Sequence, residues 1–193
     1  VKRITSIIVN KMKYLIALTF SICCVHLSAQ NVDFKKANFK DDKDGLKNAI
    51  IALDIGDEFF EKGKEKVLAM KSAVNDFKAA ISQYEIAQSF NSENVDLNRK
   101  IGHAFLYTNE AYLSKDFLLK SLDLSADVSP ILYFLLGKSY QLENDFETAQ
   151  KYFLQFRSNA DKKSLELYSE LNKKHMKECE NGKEISLKKR RIW

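Results

Sequence analysis

The chain has 193 residues, 45% hydrophobic and 30% charged, which suits one domain with a packed core and excludes a disordered chain. Its formal net charge is +5, but Lys2, Arg3, Lys11 and Lys13 precede residue 30, where no Asp or Glu occurs, and Lys188, Lys189, Arg190 and Arg191 form a terminal run. The body between is slightly acidic, so no basic face is available for nucleic acid and no nucleic-acid partner is expected.

Residues 1–29 read as upstream sequence and a signal peptide. Met12-Lys13, the apolar run Tyr14 to Val25 and then Leu27-Ser28-Ala29 supply a cationic start, an apolar core and a small residue at the cut. Cleavage is expected after Ala29, which places the protein in an exported compartment. The apolar run is shorter than the about 20 residues that a membrane span needs. Cys23 and Cys24 raise lipid attachment, but that requires a small residue just before the cysteine, and Ile22 and Cys23 stand there. With residues 1–29 removed, Cys179 is the one cysteine left, so no internal disulfide forms and packing must hold the fold. Cys179 itself is expected as a small core hydrophobe.

Residues 30–45 are polar and expected to be a flexible N-terminal segment. From residue 46 to 180 the chain is expected to be all-α: there is one proline, six glycines, and long segments rich in Lys, Leu, Ala, Glu and Phe. Three glycines recur in one pattern, Ile55-Gly56-x-x-Phe59, Ile101-Gly102-x-x-Phe105 and Leu136-Gly137-x-x-Tyr140. A helical glycine costs about 1 kcal/mol relative to alanine, so its recurrence points to close approach by a second helix. A second pattern follows each: Ala80-x3-Tyr84-x2-Ala87, Ser114-x3-Leu118-x2-Ser121 and Ala149-x3-Phe153-x2-Phe156. Spacings of four and three place each set on one helical face, so each unit reads as two antiparallel helices. From glycine to small residue there are 12 positions in the second and third units and 24 in the first, an insertion expected to extend both helices. The stripe Leu165, Tyr168, Leu171, His175 and Cys179 then reads as a terminal helix covering the last unit, and residues 181–193 as a basic tail.

In its third unit the chain resembles the tetratricopeptide (TPR) family, matching that repeat's pattern in order at Tyr133, Leu136, Gly137, Tyr140, Ala149 and Phe153 and departing from it at Phe156. The middle unit keeps the glycine and the spacing but carries Ser114 and Ser121 in place of two alanines. The resemblance implies a TPR-like right-handed solenoid of about three helix-turn-helix repeats with a C-terminal capping helix. It also implies a concave groove lined by the first helix of each repeat. Counting from each glycine, the partner-binding positions are Asp57 and Phe60, then Arg99, His103 and Tyr107, then Lys138 and Gln141.

No catalytic, cofactor-binding or metal residue is expected, because residues 30–193 hold two histidines, His103 and His175, and one cysteine, with no paired spacing. The expected role is a non-enzymatic scaffold or adaptor of the cell envelope, periplasmic or associated indirectly with the outer membrane, binding an envelope protein. Retention of residues 12–29 as a helix would instead make a cytosolic TPR module. The ending Lys177-Glu178-Cys179-Glu180-Asn181-Gly182-Lys183 is similar to the N-terminal TPR region of large bacterial envelope proteins. Those proteins continue into a beta-propeller and an OmpA-like peptidoglycan-binding domain, and several serve type IX secretion and gliding. The given sequence stops eleven residues after Gly182, so it reads as a stand-alone or a truncated copy of such a protein.

Overall fold

A computed structural model describes residues 30–190; the predicted signal and its cleavage point lie outside them. The described residues fold into seven α-helices and one 3-10 turn, with no strand among them. The helices are α1 (Lys43–Leu68), α2 (Val74–Phe90), α3 (Val95–Phe105), α4 (Ser114–Leu124), α5 (Ile131–Leu142), α6 (Phe146–Asn159) and α7 (Lys162–Arg190), with the 3-10 turn at Ala111–Leu113. None of them is long and apolar enough to cross a membrane.

Side-chain oxygens satisfy the free N–H groups that open several helices. Asp42 accepts from the Gly45 amide at 2.8 Å, Asn94 from Leu97 at 2.9 Å, Asp145 from Thr148 at 3.1 Å and Asp161 from Ser164 at 2.7 Å. The turn between α5 and α6 is Glu143-Asn144-Asp145, with Asn144 at φ 62°, a left-handed conformation that asparagine tolerates.

Consecutive helices form antiparallel hairpins. Between α1 and α2, Gly56 faces Tyr84 while the later Gly63 faces the earlier Phe77. Between α3 and α4, the Val95 carbonyl accepts from Ser121 and Gly102 faces Leu118. Between α5 and α6, Gly137 faces Phe153. Helix α7 runs back along α6, setting His175 on Phe153 and Gly182 against Phe146. The insertion in the first unit lengthens both of its helices, to 26 and 17 residues against 11 and 11 in the second.

Two apolar cores result. One gathers Phe60, Phe77, Tyr84, Leu97 and Ile101, and the other Leu132, Phe134, Phe153, Phe156 and Cys179; Tyr107 packs against both. The burial expected of Cys179 is found, and that burial pushes its thiol up to about 11.

The structure corrects two boundaries. The segment before α1 is hydrogen-bonded in place: the Asn31 amide donates to the Leu124 carbonyl at 3.1 Å and the Val32 amide to Glu93 at 2.7 Å. The Val32 carbonyl accepts from both Asn91 and Asn94, and Phe34 and Phe39 pack on Phe90. Polar composition hid this docking because the segment is held by asparagine side chains and two phenylalanines. At the other end, no tail begins at residue 181; α7 continues through Gly182 to Arg190, because that glycine lets the helix lie directly on the Phe146 ring.

Candidate partner-binding face

The three recurring glycines meet the three second-helix residues that sequence spacing singled out. A Cβ at Gly56, Gly102 or Gly137 would lie 2.6 Å from Tyr84, Leu118 or Phe153 respectively. The alanine or serine four residues earlier is buried in each case, at Ala80, Ser114 and Ala149. The middle unit's serines are satisfied: Ser114 Oγ and Ser139 Oγ share a hydrogen bond at 2.5 Å, and Ser121 Oγ donates to the Val95 carbonyl at 2.9 Å. Of the aromatic signature residues, Phe105 is buried, while Phe59, Tyr133 and Tyr140 pack at core edges.

With the hairpins stacked this way, the first helices touch one another in succession. Lys100 Nζ reaches both Asp57 oxygens at 2.9 Å, joining α3 to α1. Lys138 Nζ lies 2.8 Å from the Tyr107 hydroxyl and 4.0 Å from its ring centroid, joining α5 to the turn that follows α3. Gln141 donates to Glu178 at 3.0 Å, joining α5 to α7. These contacts link Asp57, Tyr107, Lys138 and Gln141 from one hairpin to the next, while Arg99 bonds to Asp96 within α3.

The seven residues expected on this face do not all offer surface. Phe60 is 2% exposed and His103 5%, so these two positions are core, not contact residues. The cause is that α1 and α3 approach closely enough for the Phe60 and His103 rings to meet edge to face at 5.1 Å, with Phe77 and Tyr107 beside them. Burial, and then Arg99, Lys138 and Lys64, hold the His103 imidazole well below its usual range, so it is neutral; its Nδ1 has no hydrogen-bond partner among the described residues.

Asp57, Arg99, Tyr107, Lys138 and Gln141 are partly exposed. Asp57 also accepts the Tyr84 hydroxyl at 2.6 Å, and Arg99 and Lys100 both pair with Asp96. Burial raises the Asp96 carboxyl, but the two cations outweigh it and hold it below the usual carboxylate range. Burial depresses Lys138 to about 8, offset only in part by Glu178. Sequence reasoning missed Lys100, Tyr84 as a hydrogen-bond donor, and the His175–Glu178 pair at 3.1 Å. The Asp96–Lys100 spacing of four was the one signal available for this network.

No family model matches the chain, and no curated protein does. The relation among the hairpins therefore rests on the residues themselves. Chemically, the face presents fixed charges and hydrogen-bonding groups. Among the described residues no three His, Cys, Asp or Glu side chains cluster to hold a metal ion.

Proposed function

We propose that this chain is a non-enzymatic docking adaptor of the bacterial cell envelope, a TPR-type right-handed solenoid of three hairpin repeats closed by α7. The observation that carries the reading is the interlock of Gly56 with Tyr84, Gly102 with Leu118 and Gly137 with Phe153, each at the same distance. A stack built this way sets the three first helices α1, α3 and α5 side by side with α7 beyond them, a long surface with little chemistry of its own and many addressable groups. Export rests on the signal-like residues 12–29.

A partner meets Asp57, Arg99, Tyr107, Lys138 and Gln141, not Phe60 or His103. Since Asp57 and Arg99 are already paired within the chain, the partner segment must carry both charge signs and exchange with those pairs. The test uses the processed protein, tagged, to retain proteins from envelope fractions, beside an Arg99→Ala/Gln141→Ala variant of unchanged helix content. The reading predicts a retained envelope protein that the variant loses at least about tenfold. It also predicts Gln30 as the first residue of the cellular protein. Equal retention by both, or no specific retention, overturns the docking face; a cellular protein that keeps residues 12–29 overturns export.

A further inference from the structure

The two hairpins that follow another hairpin bury the residues one and five positions before their glycine. Leu97 is 1% exposed, and Ile101, Leu132 and Leu136 are 0%. Helix α1 follows no other described helix, and its equivalents Ile51 and Ile55 are 47% and 39% exposed. Neighbouring Ile50 is 37% exposed and widens the apolar centre. The same strip that forms core twice is open once.

The charges around that strip identify what covers it. Asp44, Lys47, Ile51, Ile55, Glu58 and Lys62 follow one another at spacings of three and four, a single stripe along α1, and all six are exposed. Asp44, Lys47 and Glu58 make no ion pair among the described residues, and Lys62 lies over its own Phe59 ring at 5.3 Å. Read along the helix the stripe is acidic, basic, apolar, apolar, acidic, basic. Turned end for end and laid on itself, it sets Asp44 against Lys62, Lys47 against Glu58, and Ile51 against Ile55, with every pair made twice by the two-fold axis. A parallel arrangement would oppose like charges at all four polar positions.

We propose that two copies of this chain associate through antiparallel α1 helices, an isologous interface about 27 Å long from Asp44 to Lys62. The contact is a single helix pair, so association is concentration-dependent, with the isoleucines supplying attraction and the charges fixing direction. This surface is separate from the first-helix face and stands whether or not that face docks a partner.

Residues 47 and 58 lie eleven positions apart in one helix and cannot interact within a chain, so exchanging their charges tests the interface directly. Sedimentation equilibrium of the purified chain over a concentration series, with circular dichroism to check folding, compares the native protein with Lys47→Glu, Glu58→Lys, the double variant K47E/E58K, and Ile51→Asp. Expected is a monomer–dimer equilibrium weakened about tenfold or more by each single reversal, abolished by I51D, and restored by the double exchange. A native chain that stays monomeric, its isoleucines covered by its own residues 1–29 or by another protein, overturns the proposal. So do folded single variants that associate like the native chain, or a double variant that fails to restore dimer.

Discussion

In the first hairpin Gly56 faces Tyr84, and the next residue, Asp57, accepts the Tyr84 hydroxyl; in the third, Gly137 faces Phe153, which has no hydroxyl, and the next residue is Lys138. Around the first pair, Asp57, Asp96, Arg99 and Lys100 tie α1 to α3 by charge. Around the third, Phe134 meets Phe153, Phe156 and Tyr168, and Lys138 turns to the Tyr107 ring. The steric interlock is common to both and the polar finish is not. A glycine under a large side chain sets how closely two helices lie, whereas each charge needs only some local partner.

The largest effect should come from removing the knob of an interlock. Phe153→Ala leaves a cavity where the ring is fully buried, and the expected loss is about 3–5 kcal/mol in denaturant unfolding. Hydrogen exchange should then rise first in α5, α6 and α7. A uniform rise through α1 and α2 as well would mean that the two cores unfold as one, which would blunt the comparison.

Filling the hole comes next. Alanine for glycine in an open helix stabilises by about 1 kcal/mol, but a Cβ at Gly137 would lie 2.6 Å from two Phe153 ring carbons. Gly137→Ala should therefore destabilise, by about 1–3 kcal/mol, and Gly56→Ala likewise against Tyr84. Thermal melts check the sign: a rise in either variant shows an interlock loose enough to yield.

A pH titration separates the regions more gently. His103 is neutral in the folded chain and protonates in the unfolded chain near its ordinary value of 6.5. The unfolded state then binds the extra proton, so stability falls as pH drops below about 6.5, by up to about 1.4 kcal/mol per pH unit. His175, also depressed, with burial the leading cause, adds to this from the α7 side. His103→Leu should flatten the acid limb of a melting-temperature profile. A limb unchanged in H103L would assign the loss to His175 or to the carboxylates.

Much of this architecture was legible in the residues. The glycine pattern and the second-helix pattern could each be read by spacing, and their meeting is what spacing of 3.6 residues per turn and close helix approach require. The lengthened first hairpin was legible as an insertion. What could not be read was burial on the first-helix face: counting from Gly56 and Gly102 places Phe60 and His103 on that face, but not how near α1 and α3 lie. The docked segment at Asn31–Phe39 escaped because its bonds run to Glu93, Asn91, Asn94 and Leu124, partners that local sequence does not name. The open stripe on α1 became visible only once Leu97, Ile101, Leu132 and Leu136 were seen to be covered.

The smallest effect bears most directly on the polar finish. Tyr84→Phe keeps the ring over Gly56 and removes only the bond to Asp57, whose carboxylate still holds Lys100. Asp57 is partly solvated, so the expected loss is about 1 kcal/mol, below the usual value for a bond to a buried charge. In an Asp57→Asn background the same substitution should cost less, because the acceptor's charge is gone, and a double-mutant cycle measures that coupling. Leu118, which has no polar atom to lose, shows that an interlock needs none. Coupling near zero would mean that Tyr84, like Phe153, acts in this fold by shape alone.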